Sequence, residues 1–301
     1  MFNEIVVPLD GSPLAERALP PARALAQHIQ TPLRLVSVAV ARQMLVPDEV
    51  GFGVLYPDQS LVQARGEAAN YLANLLAATP AGAPRQLTDL REGDVAGEIV
   101  DAARQAAAGL IVMSSHGYSG FKRWLLGSIA EKVLYAAPCP VWVVRTPEPP
   151  QHLLVTLDGS QLAEEVLLPA LTVARCFGAK LTLLRVISEI SGPDIQALDT
   201  YERGLGRRFV DQSYDEAAGY LALVAENHTT RDLRLDTAVR SGPAAEVILE
   251  YAETQSVDLV AMTTHGRTGL RRWVYGSVTH KVLDQLPLSM LVARSHGANL
   301  S

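Results

Sequence analysis

Cysteine is nearly absent: Cys139 and Cys176 are the only two in 301 residues. Two thiols make no disulfide framework, and these have no metal-ligand spacing. They fit a reducing compartment, as buried free thiols. Aromatic residues are 6% of the chain, so aliphatic side chains must fill the core. No apolar run reaches the roughly 18 residues of a membrane span. The opening Met-Phe-Asn-Glu leads straight into a strand-like segment, with no signal-peptide pattern. Excess positive charge is also missing. Lys+Arg 26 against Asp+Glu 32 leaves a net charge of -6, which argues against holding nucleic acid or anionic membrane by bulk charge. A small anion held by local backbone groups is not excluded. The expectation is a cytoplasmic protein with no nucleic-acid or membrane partner.

The chain is 48% hydrophobic and 19% charged, enough for a sizeable core. Its length suits two domains of about 150 residues. The sequence also repeats. Ile5–Ser12 (IVVPLDGS) resembles Leu153–Ser160 (LLVTLDGS) at an offset of 148. Ala69–Ala73 answers Ala218–Ala222 at 149, with Tyr71 matching Tyr220. Ser115-His116-Gly117 answers Thr264-His265-Gly266, and Gly127-Ser128 answers Gly276-Ser277, also at 149. That period is far above the 20–50 residues of solenoids, so one domain is duplicated. The expected division is 1–146 and 151–296, with a Pro-rich linker at 147–150 and a C-terminal tail at 297–301.

Strand and helix patterns alternate in each half. Strands are predicted near 5–9, 33–40, 86–90, 110–113 and 141–144, then near 153–157, 181–187, 233–239, 258–262 and 289–293. Helices are predicted over 14–27, 61–78, 95–107 and 128–136, then near 162–175, 213–227, 244–255 and 277–285. Ser12 is placed to cap the first helix, with Pro13 at its first position. The stretches 41–60 and 188–212 differ most between halves. They read as irregular loops suited to specificity or partner contact. Alternation of this kind implies a parallel sheet with helices on both faces.

In such sheets ligands bind at the carboxyl ends of the strands. Asp10 and Asp158 follow the first strand of each half. A loop after the fourth strand runs from Ser114 through Gly117 to Gly127-Ser128, and from Thr263 through Gly266 to Gly276-Ser277. A helix opening on Gly-Ser offers backbone N–H groups and a hydroxyl to an anion. Lys122, Arg123, Arg267, Arg271 and Arg272 in the loops add charge or are simply solvated. No Walker G-x-x-x-x-G-K-[ST] is present, and no G-x-G-x-x-G follows the first strand, so a dinucleotide site is disfavoured. Asp10 and Asp158 suit a ribose or an adenine amine; alternatively they only cap the next helix. His116 and His265 sit beside a hydroxyl residue, but no separate Asp is placed to make a triad. Asp94 and Glu98 read as ordinary first-turn acids, and Trp124 and Trp273 as packing anchors.

These features together resemble the universal stress protein family. Ala137–Val144 (APCPVWVV) and Leu286–Ala293 (LPLSMLVA) add to the resemblance, which covers nearly all of both halves. It implies an α/β fold of two tandem doubly wound domains, each a five-stranded parallel sheet in order 3-2-1-4-5. It implies ATP, with Mg²⁺ accompanying it, held through G-x-x-G-(x9)-G-[ST]. The second and third glycines fall on Gly117 and Gly127 with Ser128, or Gly266 and Gly276 with Ser277. The first glycine is replaced by Ser114 and Thr263; Thr is β-branched, stiffer and larger. Adenine is expected by Val38 or Val186 and ribose by Asp10 or Asp158. Pro8, Met113 and Ile129, with Met262 and Val278, complete the expected contacts. Thr279, where the first half has Ala130, is an added phosphate contact. Two sites of unequal affinity are expected. No catalytic residue or resident metal ligand is identified, so the role is sensing or regulation, with slow hydrolysis at most. The rival readings are an interaction module of the same fold without nucleotide, and an enzyme acting on adenylates. The resemblance also implies an intramolecular pseudo-dimer of the halves through Val141–Val144 and Met290–Ala293. Association into a homodimer of chains would follow from it.

Overall fold

The computed structural model describes residues 2–41, 44–48, 51–55, 57–115, 126–264 and 276–294, with backbone alone at 44–48, 51–55 and 57–59. The chain divides between Glu148 and Pro149 into two compact units.

The first unit opens with β1 (Ile5–Pro8), a 3₁₀ turn (Ala15–Ala18) and α1 (Leu19–His28). β2 (Leu33–Ala39), β3 (Met44–Asp48), β4 (Gly51–Leu55) and α2 (Pro57–Ala77) follow. β5 (Gln86–Glu92), α3 (Val95–Gln105), β6 (Leu110–Ser114), α4 (Ser128–Ala136) and β7 (Val141–Val144) complete it. The sheet order is β5-β2-β1-β6-β7, all parallel. All four residues of β1 are buried. Successive strand residues face opposite sides, so this sheet is covered on both. α2 packs on β2 and β5, and α3 on β1, β2 and β5.

The second unit holds β8 (His152–Thr156), α5 (Gln161–Glu164), α6 (Leu167–Phe177), β9 (Lys180–Ile187), α7 (Gly192–Tyr201) and α8 (Leu205–His228). β10 (Leu235–Ser241), α9 (Ala244–Thr254), β11 (Leu259–Thr263), α10 (Ser277–Gln285) and β12 (Ser289–Ala293) follow. Its parallel order is β10-β9-β8-β11-β12. Both units therefore have order 3-2-1-4-5, as the resemblance implied.

Three local expectations need correction. The single helix over 14–27 is a 3₁₀ turn running into α1. Pro20 and Pro21 lack the N–H groups that would bond back to residues 16 and 17, so a continuous α ladder cannot form there. The stretch 41–60 is not all irregular. β3 and β4 pair antiparallel, and α2 begins at Pro57, a residue suited to a first helical position. The stretch 188–212 carries α7 and the start of α8. Ser191 caps α7 by accepting from Asp194 N at 3.3 Å, and Pro193 sits in the first turn. Of the two free thiols, Cys139 is buried and Cys176 half-buried. Burial pushes Cys139 up to about 12 and Cys176 up to about 11, so neither is a ready nucleophile.

At Gly109, just before β6, the N–H donates to Glu4 O at 3.0 Å. A Cβ there would lie 2.4 Å from Phe2 Cα. Gly109→Ala should destabilise the fold by about 1–3 kcal/mol, the usual cost of overpacking. A urea midpoint equal to that of the parent would refute this close approach.

His152 is buried at the start of β8. Its Nδ1–H donates to Gln255 O at 3.1 Å, which leaves Nε2 to accept from the Thr182 hydroxyl at 2.9 Å. Burial holds its pKa below the ordinary 6.5, against the opposing pull of the Gln255 carbonyl. The unfolded chain therefore takes up this proton first as pH falls. Stability present above about pH 6.5 should be lost as pH drops through that value toward the lower folded pKa. His152→Gln should flatten this window in urea titrations. Equal pH slopes for both proteins would count against the imidazole.

Candidate functional site

β1 and β6 are hydrogen-bonded neighbours only at Ile5↔Leu110 and Val6↔Ile111, whereas β1 follows β2 through all four residues. Leu9 N then donates to Val36 O at 2.8 Å, and Ser115 N to Val144 O at 3.3 Å. Each strand stays with its outer neighbour, and the sheet splits at its carboxyl end. A cavity of about 750 Å³ opens there. Pro8, Asp10, Val38, Met113, Ser114, Gly127, Ser128 and Ile129 all line it. Eight residues expected from sequence are thus brought to one place. Gly117 and Gly266 lie outside the described residues, as do His116, His265, Trp124, Trp273 and the basic loop residues 122, 123, 267, 271 and 272.

Asp10 is fixed by the turn that follows it. Its Oδ1 accepts from Ser12 N at 3.0 Å, and Ser12 Oγ accepts from Ala15 N at 3.1 Å. Gly11, at φ 81°, allows the tight reversal between them. The second unit repeats it: Asp158 Oδ1 accepts from Ser160 N at 2.9 Å, Ser160 Oγ accepts from Ala163 N at 3.1 Å, and Gly159 has φ 85°. The expected capping by Ser12 is therefore present, and one oxygen of each aspartate supports that cap.

Across the cavity, α4 begins after Gly127, a cap residue with no side chain to bond the first turn. The contrast is with α3, where Asp94 Oδ2 accepts from Gly97 N at 2.9 Å. Gly127 was expected to offer a free N–H, but it donates to Ser115 O at 2.9 Å. The bond ties the residue after β6 to the residue before α4. The N–H groups of Ser128, Ile129 and Ala130 come next, ahead of the helix ladder, and all three residues line the cavity. With the positive end of the helix dipole they form an anion-facing surface. Gly127 itself has φ -65°, a conformation open to any residue.

In the second unit Gly276 N donates to Thr264 O at 2.7 Å, and a Cβ on Gly276 would meet that oxygen at 3.2 Å. α10, which opens with Ser277 and Val278, also lacks a side-chain cap. Thr279 differs from the expectation. Its hydroxyl donates to Thr263 O at 2.8 Å and is buried. A hydroxyl has one proton, so in this arrangement Thr279 has none to give a phosphate. Asp158, Val186, Met262 and Thr263 occupy the strand-end positions matching Asp10, Val38, Met113 and Ser114.

One wall of the cavity was missed from sequence. Ser60, Ala64, Glu67 and Tyr71 of α2 line it at helical spacing, facing Ser37 of β2. Tyr71 OH donates to Glu16 Oε1 at 2.9 Å, and Tyr220 OH to Glu164 Oε1 at 2.8 Å. Burial, then that hydrogen bond, pushes the Tyr220 phenol well above its usual range. The recurrence of Tyr71 and Tyr220 was the signal in sequence, but it carried no role there. Among the described residues no cluster of three or more His, Cys, Asp or Glu could hold a metal, and no helix is long and apolar enough to cross a membrane.

The profile of the Universal stress protein family matches residues 1–145 and again 150–294. This chain belongs to that family of stress-response proteins, as a member with two tandem domains. It is 31% identical over 150 residues to a universal stress protein of Bacillus subtilis, covering 48% of this chain and 100% of the relative. A universal stress protein of Mycobacterium tuberculosis is 27% identical over 307 residues, spanning 96% of each chain. Among solved structures, a functionally unknown protein from Pseudomonas aeruginosa has a TM-score of 0.68 at 21% identity, covering 98% of this chain and 93% of its own. A universal stress protein from Archaeoglobus fulgidus scores 0.66 at 19% identity, covering 98% and 99%. These likenesses share the fold.

Ser12→Ala removes the hydroxyl that caps the first helical turn. Stability should fall by about 0.5–2 kcal/mol. Equal thermal midpoints for variant and parent would show that the cap is dispensable.

Proposed function

We propose that the cavity of the first domain binds an adenine nucleotide, ATP in particular, and that the protein senses or buffers it in a stress response. The observation that carries this reading is the uncapped start of α4, whose Ser128, Ile129 and Ala130 line one end of a cavity with Asp10 at its side and Val38 on its wall. The volume, about 750 Å³, lies within the range of small-molecule sites. The phosphates would take the N–H groups of the first helical turn, the ribose the carboxylate of Asp10, and the base the apolar wall from Val38 to Val40. Mg²⁺ would travel with the nucleotide, held by phosphates and water. Slow hydrolysis at most belongs to the same proposal. A cytoplasmic location fits this role. Pairing of the two halves through Val141–Val144 and Met290–Ala293, and of chains into a homodimer, belong to the same proposal and rest on the family resemblance.

Equilibrium dialysis with labelled ATP at millimolar concentration, on protein freed of carried-over nucleotide, tests the reading. Absence of binding would end it. A sharper variant uses the backbone. Gly127 has ψ 146°, which suits the residue before a proline. Ser128→Pro should therefore leave α4 intact while removing one N–H and one hydroxyl. Affinity should fall about 10–100-fold, as for a lost hydrogen bond to a charged group, with the urea midpoint unchanged. Ser128→Ala separates the hydroxyl from the N–H. Wild-type affinity in Ser128→Pro would show that the phosphates lie elsewhere.

A further inference from the structure

Two copies of one domain invite the expectation of two sites, and the residues on the second β-strand of each copy argue otherwise. The strand registers align the copies without ambiguity. Leu9 N donates to Val36 O, and Leu157 N to Leu184 O at 2.9 Å. The next residue is Ser37 in the first domain and Arg185 in the second. Ser37 is 4% exposed, and its short side chain lines the cavity together with Tyr71 of α2. In the second domain the guanidinium of Arg185 lies over the ring of Tyr220, 5.1 Å from its centroid.

Tyr71 and Tyr220 are held alike. Each hydroxyl donates to a glutamate on the first helical segment after the first strand, Glu16 or Glu164. α2 packs on β2, and α8 on β9. The tyrosine is thus a fixed wall in both domains. What differs is the space before it, open in the first domain and crossed by an arginine in the second. Guanidinium is flat and stacks on an aromatic face with cation–π attraction. An entering base would have to displace that contact and leave a half-buried cation to be resolvated.

We infer that Arg185 closes the second domain to the adenine ring, so the chain carries one adenine-nucleotide site, in the first domain. The inference rests on the nucleotide reading given above for that domain. It replaces the expectation of two unequal sites. It also gives Thr279 a consistent place: its hydroxyl ties the start of α10 to Thr263 O, an internal bond that Ala130 cannot make in the first domain.

The test is the stoichiometry of ATP binding by isothermal titration calorimetry on nucleotide-free full-length protein. The wild type should bind one ATP per chain, and Arg185→Ser, which installs the first domain's residue, should bind two. Ser128→Pro should weaken the wild-type site 10-fold or more and leave the added site of the Arg185→Ser protein unaffected. Two ATP per chain in the wild type would overturn the inference while sparing the nucleotide reading. One per chain in both wild type and Arg185→Ser would overturn the role of Arg185. No binding in the wild type but one per chain in Arg185→Ser would sustain the occlusion and sink the first-domain reading. No binding in either protein would sink both. A near-ultraviolet circular dichroism spectrum matching the parent guards against reading an unfolded variant as a closed site.

Discussion

The site depends on where hydrogen bonding between the two central strands stops. β1 stays with β2 to its end and beyond, through Leu9 N to Val36 O, while β6 follows β7 through Ser115 N to Val144 O. Backbone donors at a strand end must be satisfied, and here each is satisfied by the outer neighbour. The two inner strands are then free to part after Val6↔Ile111. The second domain does the same, with Leu157 N on Leu184 O and Thr264 N on Ala293 O at 2.9 Å, its inner strands parting after Ala261↔Val155. The crevice is a product of sheet topology. Its lining residues decide what enters.

The acidic balance of the chain and the nucleotide site proposed for it are not in contradiction. The net charge of -6 acts over distances that salt screens, roughly 8 Å at physiological ionic strength. The first turn of α4 would act by contact, through directed N–H groups at a helix start whose cap residue, Gly127, has no side chain. Selectivity in such a site follows geometry more than total charge. On the proposal made for Arg185, a single side chain on a neighbouring strand, Ser37 or Arg185, would set two otherwise matching crevices apart.

The sequence made the strands legible because buried parallel strands are short apolar runs. Val141–Val144 and Ser289–Ala293 fall where their composition placed them. The Asp-Gly-Ser turn was readable because each residue has a narrow conformational use, down to the cap by Ser12. Helix starts containing proline were harder to read. Pro57 and the Ser191–Pro193 segment resemble loop punctuation, yet both open helices. Pro20 and Pro21 divide a helix that its apolar spacing ran together. At the site, residues near strand ends could be listed from topology, but the α2 wall could not. Its contribution depends on how a helix docks across the sheet, which spacing alone does not encode. The fate of individual hydrogen bonds was equally hidden. Gly127 N–H and the Thr279 hydroxyl both looked available for a ligand, and both have internal partners.

The bond from Gly127 N to Ser115 O, matched by Gly276 N to Thr264 O, has a thermodynamic consequence for the segment between its ends. Each bond holds the two ends of the intervening segment together within its domain. A doubling of a flexible loop between fixed ends costs about 0.6 kcal/mol in closure entropy. That is small beside the roughly 5–15 kcal/mol that keeps a domain folded, so added length between those ends carries little penalty to folding.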